Sequence, residues 1–148
     1  MRGKHDFIYL FPFSPPMPFT FLEHDADIKI ALNSPSEQGI YEETIKAVAA
    51  YSTETPIQAN KGKTITVKGN DRKALLYAFI EELLFLMDTQ HFIACKGTVL
   101  IRGNNLQAEL YGDDTTKYAL ESIKAPTFAE MHFEKGKAGW EAIVVLDV

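Results

Sequence analysis

Cysteine is nearly absent from this sequence, and basic residues are outnumbered by acidic ones. Cys95 is the single cysteine among 148 residues, so neither an internal disulfide nor a cysteine-rich zinc site can form. Because Cys95 follows apolar residues 92–94, we predict a buried core thiol and a cytoplasmic protein. The formal net charge of −5 disfavours a protein that binds nucleic acid mainly by neutralising phosphates.

Long hydrophobic runs are also missing. No apolar stretch reaches the roughly 18 residues that are needed to span a bilayer, so no membrane segment is predicted. Apolar residues 7–11 follow basic residues, as in a signal peptide, but prolines interrupt the run and no Ala-x-Ala-like cleavage site follows. We therefore predict an extended N-terminal arm over residues 1–18 and one domain over residues 19–148.

The residues that are present have the composition of an ordinary globular domain, with 46% apolar and 24% charged residues. Apolar residues at helical spacing predict helices over residues 36–51 and 71–88. Ser34 and Asn70 are the expected N-caps, because their side chains can accept a backbone N–H of the first turn.

Alternating apolar residues predict strands around and after the helices. These strands are residues 19–23, 28–32, 63–68, 98–102, 106–111, 126–133 and 140–147. Glycine-containing turns join the last four strands as two hairpins. The order predicts an α+β domain with two helices packed on one mostly antiparallel sheet.

Motifs of catalysis are scarce in the sequence. No serine lies in a Gly-x-Ser-x-Gly turn, and no two histidines have the helical spacing of a metal site. Residues 61–64 end like a phosphate-binding loop, but Ile57 stands where that loop needs its first glycine. The sequence therefore indicates no active site of a familiar kind.

Carboxylates are the better candidates for a site. Asp25 and Asp27 are two apart in an extended segment and can point to the same side. Asp147 ends an apolar strand, where a carboxylate is out of pattern, and hard cations prefer such oxygen ligands. The alternative is that the pair caps a turn and that Asp147 is solvated. Asp113 and Asp114 follow a strand and are interpreted as a loop.

Four segments, in the same order along the chain, resemble the archease family. Residues 21–28 resemble its opening Glu-His-Thr-Ala-Asp motif, and residues 74–89 look like its long helix. Residues 123–128 are similar to its Lys-Ala-Val-Thr-Tyr-His segment, and residues 140–148 resemble its closing strand. The resemblance covers residues 19–148.

This resemblance implies a compact α+β fold and a non-catalytic activator of an RtcB-type tRNA-splicing RNA ligase. Such an activator promotes guanylylation and multiple turnover of the ligase, can broaden its nucleotide use, and meets RNA only through the ligase. The resemblance also implies a divalent cation, with Ca²⁺ expected first and Mg²⁺ or Mn²⁺ as alternatives. Its ligands would be Asp27, Asp147 and the main-chain oxygen of Val148.

The sequence departs from the family pattern at three positions. Asp25 stands where the family usually has threonine, Ala129 where it often has histidine, and Lys29 where it often has glycine. Two other functions stay open at this point. One is a metal-dependent phosphoester hydrolase that uses Asp25, Asp27 and Asp147, and the other is a plain protein-interaction module.

Overall fold

Seven strands and two helices make up the structure, a computed structural model that describes residues 18–22 and 27–148. The predicted N-terminal arm therefore lies almost entirely outside the described residues and stays a prediction. The elements in chain order are β1 (Phe19–Leu22), β2 (Asp27–Ser34), α1 (Glu37–Ser52), β3 (Lys61–Lys68), α2 (Arg72–Thr89), β4 (Phe92–Arg102), β5 (Asn105–Asp114), β6 (Ala125–Gly136) and β7 (Gly139–Asp147).

The strands form two sheets in which every described strand pair is antiparallel. One sheet has four strands in the order β1-β2-β7-β6, and the other has three in the order β3-β5-β4. Both helices contact strands of both sheets. The predicted class, α+β with two helices and mostly antiparallel strands, is confirmed. The division into two sheets is not visible in the sequence, because periodicity identifies strands but not their partners.

The N-cap of each helix lies one or two residues further along the chain than predicted. Ser36 rather than Ser34 caps α1, and its Oγ accepts the N–H three residues on at 3.0 Å. Asp71 rather than Asn70 caps α2, and its Oδ1 accepts the N–H of Ala74 at 2.8 Å. The predicted caps were wrong because neighbouring polar residues compete for one role, and the direction of the incoming chain selects between them.

A single hydrophobic core lies between the helices and the sheets. Its largest fully buried side chains come from both helices and both sheets, and each stabilises the fold by roughly 1.5–3 kcal/mol relative to exposure. Tyr41 of α1 meets Phe79 of α2 edge to face, with ring centroids 5.5 Å apart. Phe133 of β6 contacts the same tyrosine ring at 5.8 Å, so the aromatic contacts join both helices to the four-stranded sheet.

Both predicted hairpins are confirmed. The β4–β5 turn contains Gly103 with a positive φ of 60°, which glycine adopts without strain. The β6–β7 turn leads into Gly139, where φ is 136° and a Cβ atom would lie 2.7 Å from the carbonyl oxygen of Ser34. Glycine at position 139 therefore permits the hairpin to pack closely on the end of β2.

Cys95 is half-buried, so the prediction of a buried core thiol was wrong. A bulge in β4 shifts the register between Ala94 and Lys96 and turns Cys95 away from the core. Its Sγ donates to the carbonyl oxygen of Tyr111 at 3.4 Å, and partial burial raises the pKa of the thiol. Among the described residues, no helix has the length and apolar character needed to cross a membrane.

Candidate metal centre

The candidate site lies where β2 begins and β7 ends. Asp27 is the first residue of β2, Asp147 is the last residue of β7, and the two are directly opposite in the antiparallel register. Residues that face each other in this way point to the same side of a sheet, with Cβ atoms about 4.5–5.5 Å apart. The structure therefore brings together two of the predicted ligands from distant parts of the chain.

The core sets this register. Between the two aspartates, buried apolar residues of β2 face buried apolar residues of β7 on the side that packs on the helices. A shift of one residue would turn all of them to the outer face. Asp27 and Asp147 lie on that outer face, because strand residues alternate sides. The pairs that include a buried residue from each strand are Ile30–Val144 and Leu32–Ala142.

Val148 supplies the next main-chain oxygen after Asp147. The carbonyl oxygen of Asp147 itself accepts the N–H of Lys124 at 2.8 Å and so belongs to the sheet. The Val148 side chain is partly buried and packs against the core, which holds the chain close to the strand end. The main-chain oxygen of Val148, next to Asp147 along the chain, stays the predicted third ligand.

The chemistry of this donor set fits a hard divalent cation. Two carboxylates and a carbonyl are oxygen donors only, as Ca²⁺, Mg²⁺ and Mn²⁺ prefer. Directly opposed like charges destabilise a strand pair, and a cation between Asp27 and Asp147 would remove that cost. Asp25, the third carboxylate that the sequence suggests, lies outside the described residues.

Two of the three residues that depart from the family pattern, Lys29 and Ala129, lie beside this site. The register of β6 shifts between Thr127 and His132, and Ala129 is exposed within that bulge. The next residue, Glu130, has a positive φ of 59°. Its Oε1 accepts a hydrogen bond from Nζ of Lys29, and the two atoms are 3.0 Å apart. Because β7 lies between β2 and β6, this ion pair reaches across β7, and Val145 beneath it is only 1% exposed.

A second strand-end carboxylate, Asp113 of β5, has a different environment. Its side chain is 1% exposed, although the sequence suggested a loop. It accepts hydrogen bonds from a strand-flanking amide, a neighbouring N–H, an ammonium and a phenol. These donors are Asn60 Nδ2 at 3.2 Å, the Asp114 N–H at 2.9 Å, Lys117 Nζ at 3.1 Å and Tyr118 Oη at 2.8 Å.

These contacts determine the protonation state of Asp113. Burial is the largest single influence and raises the pKa of the carboxyl group. The hydrogen bonds from Asp114, Tyr118 and Lys117, with the charge of Lys117, together outweigh burial and lower the pKa to about 2. Asp113 is thus a charged anchor that ties the Thr115–Lys117 turn of 3-10 helix to β5. The alternation along β5 predicts an exposed Asp113, because the even-numbered residues from Leu106 to Gly112 are the buried ones. Its burial directly after Gly112 breaks that pattern, so periodicity could not have indicated it.

The fold and the strand-end pair define a small α+β domain in which the two inner strands β2 and β7 present two carboxylates at one end of the four-stranded sheet. The chain belongs to the Archease protein family, which matches residues 19–148, and the recognised resemblance is thereby confirmed. Protein archease of Pyrobaculum islandicum is 32% identical over 143 residues, which cover 90% of this chain and 97% of that protein. Protein archease of Pyrococcus abyssi is 34% identical over 139 residues, which cover 85% and 95%.

Solved structures support the fold. The solution structure of protein 1598 of Methanobacterium thermoautotrophicum matches with a TM-score of 0.72 and 22% identity, over 88% of this chain and 99% of that one. The crystal structure of an archease from Thermotoga maritima, described as a possible chaperone, matches with a TM-score of 0.62 and 16% identity, over 91% and 98%. At these identities the likeness concerns the fold alone.

Proposed function

We propose that this protein is a non-catalytic activator of an RtcB-type tRNA-splicing RNA ligase in the cytoplasm. It promotes guanylylation of the ligase, so that the ligase turns over repeatedly, and it can widen the range of nucleotides that the ligase accepts. Membership of the Archease family supports the proposal, because the family resemblance implies this activity. RNA is reached through the ligase, in line with the net charge of −5.

The observation that carries the proposal is the register between β2 and β7. Asp27 and Asp147 are directly opposite in a member of this family, which supports their role as ligands of one cation. The main-chain oxygen of Val148 completes the protein's donor set. Ca²⁺ is the proposed ion, and Mg²⁺ and Mn²⁺ are the alternatives, because all three accept oxygen ligands.

The number of donors suggests how the cation serves an activator. Two carboxylates and one carbonyl offer at most about five oxygens, whereas Ca²⁺ takes six to eight. The positions that these three residues do not fill are open to other oxygen donors, including an oxygen atom of a partner protein. A cation on the outer face at the end of these strands is therefore suited to contact the ligase.

Multiple-turnover RNA ligation by the cognate ligase tests the proposal. We expect the wild-type protein to accelerate ligation and to raise the fraction of guanylylated ligase. Asp27→Ala and Asp147→Ala should return both quantities to the values of the ligase alone, because each removes a ligand of the cation. Asp88→Ala is a matched control, since Asp88 is an exposed aspartate that belongs to α2 and not to the β2–β7 strand pair.

Each outcome of the assay has a clear meaning. No acceleration by the wild-type protein would overturn the proposed activity. Acceleration that survives in both variants would remove the cation from the mechanism and leave a protein-interaction module. Hydrolysis of phosphoesters by the purified protein alone, lost in Asp27→Ala, would instead favour the metal-dependent hydrolase.

A further inference from the structure

The outer face of the β6–β7 hairpin carries a second group of metal-ligating side chains. His132, Glu134 and Glu141 each offer one ligand atom, and these three atoms lie within 4.8 Å of one another. The imidazole Nε2 of His132 is 3.2 Å from Oε1 of Glu134. We propose that this cluster, here called the hairpin triad, binds a divalent transition-metal ion such as Zn²⁺.

The strand register explains why the three side chains converge. Glu134 of β6 is directly opposite Glu141 of β7, so both point to one side of the sheet. His132 is two residues before Glu134 on the same strand and shares that side. Two donors lie on one strand and the third lies on its neighbour. The pairing of these two strands is therefore sufficient to bring the three side chains together.

Electrostatics favour a cation at this position. Opposed carboxylates destabilise a strand pair by repulsion, unless a positive charge lies between them. In the part of the chain that the structure describes, Glu134 has an ion-pair contact only with His132, and none is found for Glu141. The hairpin therefore leaves its two facing carboxylates uncompensated by lysine or arginine, and a bound cation would compensate both.

The opposite face of the hairpin is anchored, which limits movement of the donors. The Trp140 ring packs edge to face on Phe133, with centroids 6.0 Å apart. The Arg72 guanidinium lies 4.6 Å from the centre of the Trp140 ring, and Arg72 also bonds Glu37 at 2.8 Å. Donors on strands held in this way are positioned more accurately than donors on a free loop.

The donor types distinguish this cluster from the strand-end pair. An imidazole with two carboxylates suits Zn²⁺ and related transition metals, whereas oxygen donors alone suit Ca²⁺ and Mg²⁺. Three protein ligands with a fourth position open to water is a common arrangement for zinc. The side chains of His132 and Glu134 are 41% and 56% exposed, so that fourth position faces solvent.

The hairpin triad is independent of the proposed ligase activation. Glu141 and Asp147 lie six residues apart on β7, which corresponds to roughly 20 Å along a strand. Both lie on the outer face, at opposite ends of the strand. A failure of the zinc proposal would therefore leave the Asp27–Asp147 proposal unaffected, and the reverse also holds.

Calorimetric titration of the full chain with Zn²⁺ in excess Ca²⁺ tests the inference, because excess Ca²⁺ competes with Zn²⁺ for any site made of oxygen donors alone. We expect saturable binding of one Zn²⁺ ion that His132→Ala and Glu141→Gln each weaken by about tenfold or more, since even the partners of metal ligands contribute ten- to hundredfold. Co²⁺ in place of Zn²⁺ should give visible d–d absorption in the wild-type protein and lose it in His132→Ala. All three side chains are on the surface, so circular dichroism should show unchanged folding.

A matched histidine variant separates the triad from other imidazoles. His91 is exposed and has a φ of 53°, a conformation that asparagine tolerates, so His91→Asn should bind Zn²⁺ as the wild type does. Absence of saturable Zn²⁺ binding would overturn the proposal. Binding that is unchanged in His132→Ala would also overturn it, because the ion would then be held elsewhere in the chain.

Discussion

Asp113 and Asp147 are both aspartates at the end of a strand, yet their surroundings differ in almost every respect. Asp113 of β5 is buried and accepts hydrogen bonds from four donors. Asp147 of β7 is exposed and faces another carboxylate, Asp27, across the strand pair. The two sheets therefore use the same residue type for opposite purposes.

The comparison shows that the donors around a carboxylate, rather than its place in the sequence, determine what it can do. The oxygens of Asp113 accept hydrogen bonds from amides, a phenol and an ammonium of its own chain, so Asp113 has a structural role. Asp147 is accessible at the end of a strand beside a second carboxylate, so it can share an external cation. Four predictions test this contrast, in order of decreasing effect.

Removal of Asp113 should have the largest effect on stability. Asp113→Ala leaves Asn60, Lys117 and Tyr118 without their shared acceptor, and we expect the midpoint of thermal unfolding to fall by roughly 5–10 °C. Asp147→Ala, measured without added Ca²⁺, should lower it by less than about 2 °C. Differential scanning calorimetry of both variants is the measurement. Equal losses in the two variants would abolish the contrast between the aspartates.

Low pH should reduce the stability of the folded protein, because Asp113 becomes protonated over a defined pH range. The pKa of Asp113 is about 2 in the folded protein, below its ordinary value of 3.8, so the unfolded chain binds this proton first as pH falls. The contribution is complete above about pH 4 and is lost as the pH falls through about 2. Urea unfolding of the wild type and Asp113→Asn should show a stability difference that shrinks over this range. A difference that is independent of pH would contradict the assigned charge.

Calcium should stabilise the wild-type protein through the strand-end pair. A ligand that binds only the folded state at ten times its Kd stabilises it by about 1.4 kcal/mol. Thermal unfolding with and without Ca²⁺ should show this gain in the wild type and no gain in Asp147→Asn. Parallel measurements with Mg²⁺ and Mn²⁺ identify the preferred ion. An equal response in the variant would place the cation at another site.

Substitution of Lys29 should have the smallest effect, and it should change only the affinity for the cation. Lys29 shares the outer face of β2 with Asp27, and the backbones of the two residues are about 7 Å apart along the strand, so its positive charge opposes a cation at the site. Lys29→Gln should therefore raise Ca²⁺ affinity roughly two- to threefold in calorimetric titration. Lys68→Gln, at the exposed end of β3, is the control and should leave the affinity unchanged. A weaker affinity in Lys29→Gln would mean that Lys29 supports the site.

Much of the fold could be predicted from periodicity, because apolar spacing reflects which face of an element is buried. Helix α2, both hairpins and most strand positions follow from it, but β4 begins at Phe92, six residues before the predicted start at residue 98. The N-caps could not be predicted, because Ser34 and Ser36 are equally suitable by residue type. The exposure of Cys95 was also missed, since a bulge at that point interrupts the alternation on which the prediction depends.

The candidate site divides in the same way. Asp27 and Asp147 could be singled out as carboxylates beside apolar strands, and the family resemblance added Val148. The hairpin triad could not be found from sequence, because its members are neither at helical spacing nor in a contiguous motif. Only the pairing of β6 with β7 brings Glu141 to the other two side chains.

The sequence by itself determined the kinds of elements, their polar and apolar faces, and the chemical nature of the available ligands. Tertiary structure alone decided which strands pair, and hence that Asp27 faces Asp147 while Asp113 is enclosed by donors. The physical reason is that side-chain alternation is a local property, whereas strand register follows from burying the whole core at once. A carboxylate at a strand end therefore acquires its role only when the fold supplies its neighbours.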